Sequence, residues 1–590
     1  MKNHILASIA LFGMYRNKNY DTYNLIAQYI SAVIAHKEYD TFTPTIIKED
    51  LLELYGICIP TGVIKSVVKN RIEDIQLKDG AFRCSKIPKD KIDKEYSELT
   101  KEYGELFEEL LKYVRQFNKE TNLLSDDYIV NVFSDYLING YSSESKLDRH
   151  FAAFVAGAMD NVNLHQKIDL LSSGLISYKG LSYADSLGTG SWTDKLTIYL
   201  DTEFLFSCAG YNGTYYKMVF DELYELIKEV NVLHRKRTRK EEDIITLKYF
   251  KDTREVYTSI FNLVKSLINS NAVPDPSRKA IVKLVNESVS EFDVDIQKAQ
   301  IDSIVKDNYH ILYDDNDYDK FIVDPRYVLF DDSALQSLNE KYNSCDDDVI
   351  KRKIDYISRI LTIINGLRGN ASEKVFEKCR YVFLTGSHIG HGASISVRGE
   401  DKYVGLATDV DFLVSRLWFR LNKPLSNNRI PVSLDLIARA QAVLTRDVTQ
   451  KIRMMYEDLV KKNLTDTDKQ NLYAILKDAD GFLEPYNNTS LEDVLTFIER
   501  TNLDDLIEQH HQLKKKAETV QTVTDELMLT KGELTKTKFE VQELKRKVDE
   551  ENSKTAELVS NNNHKDKMIR CLSIVVSILA IGLIFLLWVK

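Results

Sequence analysis

Asp201, Glu255, Asp355 and Asp409 are the acids whose positions along the chain could do chemistry. Asp201 ends the run Leu196-Thr-Ile-Tyr-Leu200, where Leu196, Ile198 and Leu200 alternate with Thr197 and Tyr199 in the period of a buried strand. A helical pattern follows it through Phe204, Leu205 and Tyr215 to Leu226. Glu255 opens a helix after a second β-like run, Ile244 to Phe250, and Asp355 lies inside a helix at Val349 to Leu367. Asp409 comes after a third run, Tyr381 to Thr385, and the Gly-rich loop Gly386 to Ala393. Ligands of open α/β sheets collect outside the carboxyl ends of strands. Carboxylates drawn there from separate elements suit hard divalent cations, which need oxygen ligands. Such cations activate water and steady the leaving oxygen in phosphodiester hydrolysis. The expected cofactor is therefore Mg²⁺ or Mn²⁺, held by Asp201, Glu255 and Asp355, with Asp409 as a fourth catalytic acid. Thr385 or Ser387 is expected to position the scissile phosphate. A single strand-terminal Asp is more often a turn former or helix cap, so the order of the acids supplies the weight.

Those pieces together resemble the PIN-domain nucleases, and more closely a larger PIN-like group found in bacterial proteins. Ile198-Tyr-Leu-Asp-Thr-Glu-Phe-Leu205 matches the segment of the first acid, and Tyr249-Phe-Lys-Asp-Thr-Arg-Glu-Val256 that of the second. Ile354-Asp-Tyr-Ile-Ser358 followed by Gly366-Leu-Arg-Gly369 resembles the third, and Val382-Phe-Leu-Thr-Gly-Ser387 stands at the last strand. Asp411 to Lys423 looks like the closing segment, so the likeness covers about residues 196 to 460. It implies an α/β core, a parallel sheet flanked by helices, and a metal-dependent nuclease, with RNA favoured over DNA as substrate. The chain departs from the pattern where many PIN domains carry Asp or Asn after the strand-three Thr. It has Gly386 and Ser387 there, which leaves Asp409 as the fourth ligand or leaves that ligand absent.

Two other readings stay open. Gly386-Ser387, Gly390 and Asp409-Val-Asp411 also resemble a nucleotidyltransferase, where a Gly-Ser turn precedes an Asp-x-Asp strand, although Ile395 to Leu406 makes the gap long. The alternative from a different class is a non-enzymatic membrane-anchored coiled-coil scaffold with a degenerate PIN-like fold. His388 and His391 lack the third ligand that a zinc site requires.

The elements that must position these residues belong to a mostly helical, multidomain chain. At 590 residues it exceeds what one core sustains. With 9 Pro and 23 Gly it has few long flexible linkers. The formal charge of −10 excludes a surface wholly devoted to nucleic acid but permits a local basic face. Six scattered Cys without a C-x-x-C pair point to a reducing compartment. Residues 1–92 read as a winged-helix-like domain: three helices, then two short strands about Asp79-Gly80. Eight Lys/Arg against four Asp/Glu between Gly62 and Ile92 make it basic, and Lys65, Lys69 and Arg71 line the third helix, the expected nucleic-acid contact. A helical domain spans 93–194, the PIN-like domain with a helical insertion 195–424, and a helical extension 425–500.

The C-terminal part carries two further signals. Leu513, Val520, Leu527, Leu534, Val541 and Val548 recur every seven residues, so 503–560 is expected to be a coiled coil that makes the protein a homo-oligomer. Thr530 and Thr537 compromise its second seam. Cys571 to Val589 is 19 residues without a charge, long enough to span a bilayer. Lys565, Lys567 and Arg570 precede it and Trp588 sits at an interfacial position. The expectation is a single-pass tail anchor, 571–589, with the bulk of the chain cytoplasmic.

Overall fold

The computed structural model describes residues 4–462 except 19, 79, 118–122, 141–144, 183–193, 271, 273, 343–347, 374, 399–403 and 422–429, with a few isolated residues beyond. The expected coiled coil and most of the apolar segment 571–589 lie outside the described residues. Among those described, no helix is long and apolar enough to cross a membrane. The chain forms two compact units, residues 1–274 with 278–442 and residues 275–277 with 443–590. All that follows concerns the first.

That unit is mostly helical, with two small sheets. The N-terminal sheet holds β1 (Thr41–Phe42), β2 (Ile75–Lys78) and β3 (Ala81–Cys84), antiparallel in the order β1-β3-β2. Helices Thr22–Lys37, Pro44–Tyr55 and Thr61–Arg71 accompany it, as the apolar stripes predict. Asp21 caps the first of them and Thr43 the second, which Gly56 ends at φ +68°. A helix that precedes these three, Ile5–Asn17, packs on helix Val162–Ser182. Their backbones nearly touch: a Cβ on Gly13 would meet the Leu170 carbonyl oxygen at 2.1 Å, and one on Gly174 the Ile9 carbonyl oxygen at 1.8 Å. The N-terminal helix thus packs on helix Val162–Ser182 and also within the 1–92 segment, where the Tyr29 hydroxyl donates to the Ser8 carbonyl at 3.2 Å.

His150, on helix Ser145–Ala156, is almost fully buried, and burial together with the charge of Arg149 lowers its pKa to about 4. The folded state therefore keeps this ring neutral where the unfolded chain, near 6.5, takes up a proton. Stability is lost as pH falls from about 6.5 towards 4, by roughly 3 kcal/mol for this group, and is level above that window. Urea unfolding at pH 7 and pH 4.5 should show a smaller acid loss in His150→Gln than in wild type.

The second sheet carries the expected α/β core. It contains β4 (Leu196–Leu200), β5 (Ile245–Phe250), β6 (Leu312–Asp314), β7 (Tyr381–Leu384) and β8 (Ala407–Thr408). All pairs are parallel, in the order β6-β5-β4-β7-β8. Parallel sheets are covered on both faces, and the alternation in β4 and β7 shows how. Leu196, Ile198, Leu200, Val382 and Leu384 join one core with Phe220, Leu223 and Phe261 from helices Thr214–Thr238 and Lys251–Asn269. Tyr199 and Phe383 point the other way, to Ile354, Ile357 and Leu361 of helix Asp348–Leu367. Tyr199 stacks on Phe250 with ring centroids 3.7 Å apart, and its hydroxyl donates to Asp314 at 2.7 Å. Burial opposes ionisation of Asp314, but Tyr199, Asn316 and the Lys248 charge outweigh it and hold the carboxyl below its ordinary value. The acidic stretch that begins at Tyr313 opens within this edge strand.

Arg368 fastens the far side of the sheet. Its guanidinium donates to the carbonyls of Tyr381 at 2.7 Å, Val404 at 3.1 Å and Gly405 at 2.8 Å, joining the start of β7 to the approach to β8. Nearby, Arg416 on helix Val410–Arg420 makes a two-pronged bond to Glu377, with Nε–Oε1 and Nη2–Oε2 both 2.6 Å, just before β7.

Candidate functional site

Strand order reverses between β4 and β7, so the crevice at their carboxyl ends is where such sheets take ligands. Asp201 lies there, buried, as the N-cap of helix Thr202–Cys208. Its Oδ1 accepts from the Thr202 N–H at 2.7 Å and from the Tyr356 hydroxyl at 3.1 Å, while Oδ2 accepts from the Thr385 hydroxyl at 2.7 Å. Tyr356 gives its proton to Asp201, so Thr253, 3.0 Å away, donates to Tyr356. Burial, then the Asp201 charge, raises the Tyr356 pKa well above the ordinary phenol value. Thr385 spends its one proton on Asp201 and accepts from the Ser387 N–H at 3.1 Å. Four elements thus fix one carboxylate.

Glu203, two residues on, lies at the rim of this crevice with an edge open to solvent. Its carboxylate accepts from the Gly386 N–H, which tethers it to the turn after β7. Desolvation, then the neighbouring Asp201 charge, raises its pKa, against the opposing pull of the Gly386 N–H and of Lys353. The charges that bear on Glu203 are those of Asp201 and Lys353; Glu255 and Asp355 are not among them.

The structure does not bring Asp201, Glu255 and Asp355 together: among the described residues no three His, Cys, Asp or Glu side chains converge to hold an ion. Helix phase is the reason. Thr253, Tyr257, Phe261 and Val264 turn the buried stripe of helix Lys251–Asn269 inward, and Glu255 falls on its exposed side. Ile354, Ile357, Ser358 and Leu361 do the same for helix Asp348–Leu367, and Asp355 is exposed. The residues that reach Asp201 from those two helices are Thr253 and, one position past Asp355, Tyr356. Asp252, one turn before Glu255, is paired with Arg359. Asp409 is exposed and caps helix Val410–Arg420 through the Phe412 N–H at 2.7 Å. Asp411 belongs to that helix rather than to a strand and lies 3.8 Å from Arg439, so the Asp-x-Asp strand of a nucleotidyltransferase is not formed.

Of the other expected site residues, Thr385 and Ser387 both stand in the crevice, and Thr385 is committed to Asp201. His391 is engaged with the Thr385 carbonyl at 2.8 Å. On helix Thr61–Arg71, Lys65 and Lys69 are exposed on one face, four residues apart. Arg71 is turned back onto helix Thr22–Lys37 and its cap, 3.2 Å from Asp21 and 3.0 Å from Asn24.

Sequence reasoning passed over Glu203, Thr253 and Tyr356. Glu203 had a signal: it follows Asp201 by two residues in the first turn of a helix. Tyr356 and Thr253 had only their place in the inward stripe.

The fold and site define a helical protein built on a parallel α/β sheet, with an acidic crevice at the switch point. No protein-family model matches the chain, and no curated protein or solved structure matches it either.

Proposed function

We propose that this protein is a metal-dependent nuclease, acting on RNA in preference to DNA, with a PIN-like core whose reactive centre is the crevice at Asp201. One observation carries the reading: a buried carboxylate, oriented by Thr202, Tyr356 and Thr385, sits at the carboxyl end of the central strand beside Glu203. The donor set fits a divalent cation of the Mg²⁺ or Mn²⁺ kind. Asp201 accepts three hydrogen bonds, which leaves one of its roughly four lone-pair sites free. Desolvation, and then the Asp201 charge, raise Glu203 towards protonation, and a cation would offset the second of these. Mg²⁺ keeps several waters and is satisfied by one or two carboxylates. Asp201 and Glu203 would hold the ion, which supplies an activated water and polarises the phosphoryl oxygens when bound. Glu255 and Asp355 are exposed on their helices and take no part in it.

The remaining parts of the reading follow the same logic. Helix, strand, two helices and a hairpin, with sheet order β1-β3-β2, support a winged-helix-like N-terminal domain. Lys65 and Lys69 are exposed cations of this domain that would meet a phosphate backbone. The uncharged segment 571–589 would anchor the protein in a membrane, and 503–560 would pair copies of it.

A scaffold with a degenerate PIN-like fold is the second reading, and the meeting of only two carboxylates favours it. Cleavage of single-stranded RNA and DNA with Mn²⁺, by wild type, Asp201→Asn and Glu255→Gln, separates the two. The nuclease reading expects loss in the first variant and near wild-type rates in the second. Absence of any cleavage dependent on Asp201 would leave the scaffold.

A further inference from the structure

Ser387 is the most informative polar group that the crevice leaves unused. Its carbonyl accepts from the His391 N–H at 3.1 Å, so it stands at the N-cap of helix His388–Arg398. A Ser at that position ordinarily accepts from an N–H of the first turn. Here the residue is 5% exposed and its hydroxyl has no hydrogen-bond partner among the described residues. A buried, unpaired hydroxyl is costly and calls for a partner, whether a water or a bound group.

The surroundings are made for an oxyanion. The helix N-terminus presents N–H groups without intrahelical acceptors and favours negative charge. Gly390 lets the first turn lie against β7, since a Cβ there would stand 2.8 Å from Thr385 Cγ2. One N–H of this turn, that of Gly386, already carries an anion of the protein's own, the Glu203 carboxylate. Thr385 is excluded as a donor because its proton is given to Asp201. Two carboxylates beside the turn penalise a dianion more than a singly charged group.

We propose that the turn from Gly386 to Gly390 is a phosphodiester-binding subsite. The Ser387 hydroxyl and the N–H groups of Ile389 and Gly390 donate to the non-bridging oxygens of one linkage, which places that linkage beside Asp201. The ligand class rests on the nuclease reading, while the measurement does not.

Binding of dimethyl phosphate, a singly charged diester, is followed by ³¹P line broadening with the full chain and no added metal. Wild type should bind it, and Ser387→Ala should weaken the affinity about fivefold or more, as expected for one lost hydrogen bond to a charged group. Ser387→Thr, which keeps the hydroxyl, should stay within about twofold. Absence of binding to wild type, equal binding by Ser387→Ala, or binding of inorganic phosphate in place of the diester would overturn the subsite. Dependence on Ser387 without Asp201-dependent cleavage would fault the nuclease reading alone. Cleavage without that dependence would fault the subsite alone.

Discussion

Asp201→Asn is expected to reduce Mn²⁺-dependent RNA cleavage by two orders of magnitude or more (roughly 3 kcal/mol of barrier) while leaving the fold intact. The side chain is isosteric, and its oxygen can keep one of the two anchoring positions. What it loses is charge. Oδ2 accepts from Thr385, whose hydroxyl proton would face an amide nitrogen in one of the two flips of Asn. The residual oxygen cannot both satisfy these donors and bind a cation as a carboxylate does. Glu203→Gln should cost less, because among the described residues its carboxylate is held by the Gly386 N–H alone and it is exposed. Initial rates on a labelled single-stranded RNA, read alongside far-UV circular dichroism, decide the matter. An Asp201→Asn protein that folds and cuts normally would remove the crevice from the chemistry.

Arg416→Ala carries the largest expected effect on stability. The Arg416 side chain is 2% exposed and its Glu377 partner 10% exposed, and they meet through two parallel bonds. Removing the guanidinium leaves a carboxylate in a place with little water, a change worth roughly 3–5 kcal/mol. The pair ties the approach to β7 to the helix after β8, so its loss should loosen the crevice wall that carries Thr385. Replacing both residues, Arg416→Met with Glu377→Gln, removes the stranded charge and should recover most of the loss. Urea midpoints of the three proteins measure this. A single variant no less stable than wild type would show that water reaches Glu377.

Much of this was legible in the residues. Alternation in Leu196–Leu200 and Tyr381–Leu384 marked the central strands, because each face of a parallel sheet buries every second side chain. β6 was not, because three residues with Leu312 and Tyr313 largely exposed carry no apolar period. Asp201 was found because a strand end fixes where a side chain stands. Glu255 and Asp355 were misjudged because being near a strand end along the chain says nothing of helix phase. Their inward stripes, Tyr257 with Phe261 and Ile357 with Leu361, held the phase in plain view. The Glu203 tether to Gly386 and the Thr385 bond to Asp201 bridge residues 183 and 184 positions apart, and no local pattern encodes such contacts.

That same separation has a consequence for how the protein is made. The central strand β4 cannot gain its neighbour β7 until 184 further residues have followed Asp201 out of the ribosome. At ordinary elongation rates this is roughly 10–40 s during which Asp201 exists without Thr385. Loop-closure entropy must then be met before the pairing returns anything, which slows sheets of this connectivity. The nascent chain therefore carries half a crevice, with one edge of β4 open, while 184 of its 590 residues are added.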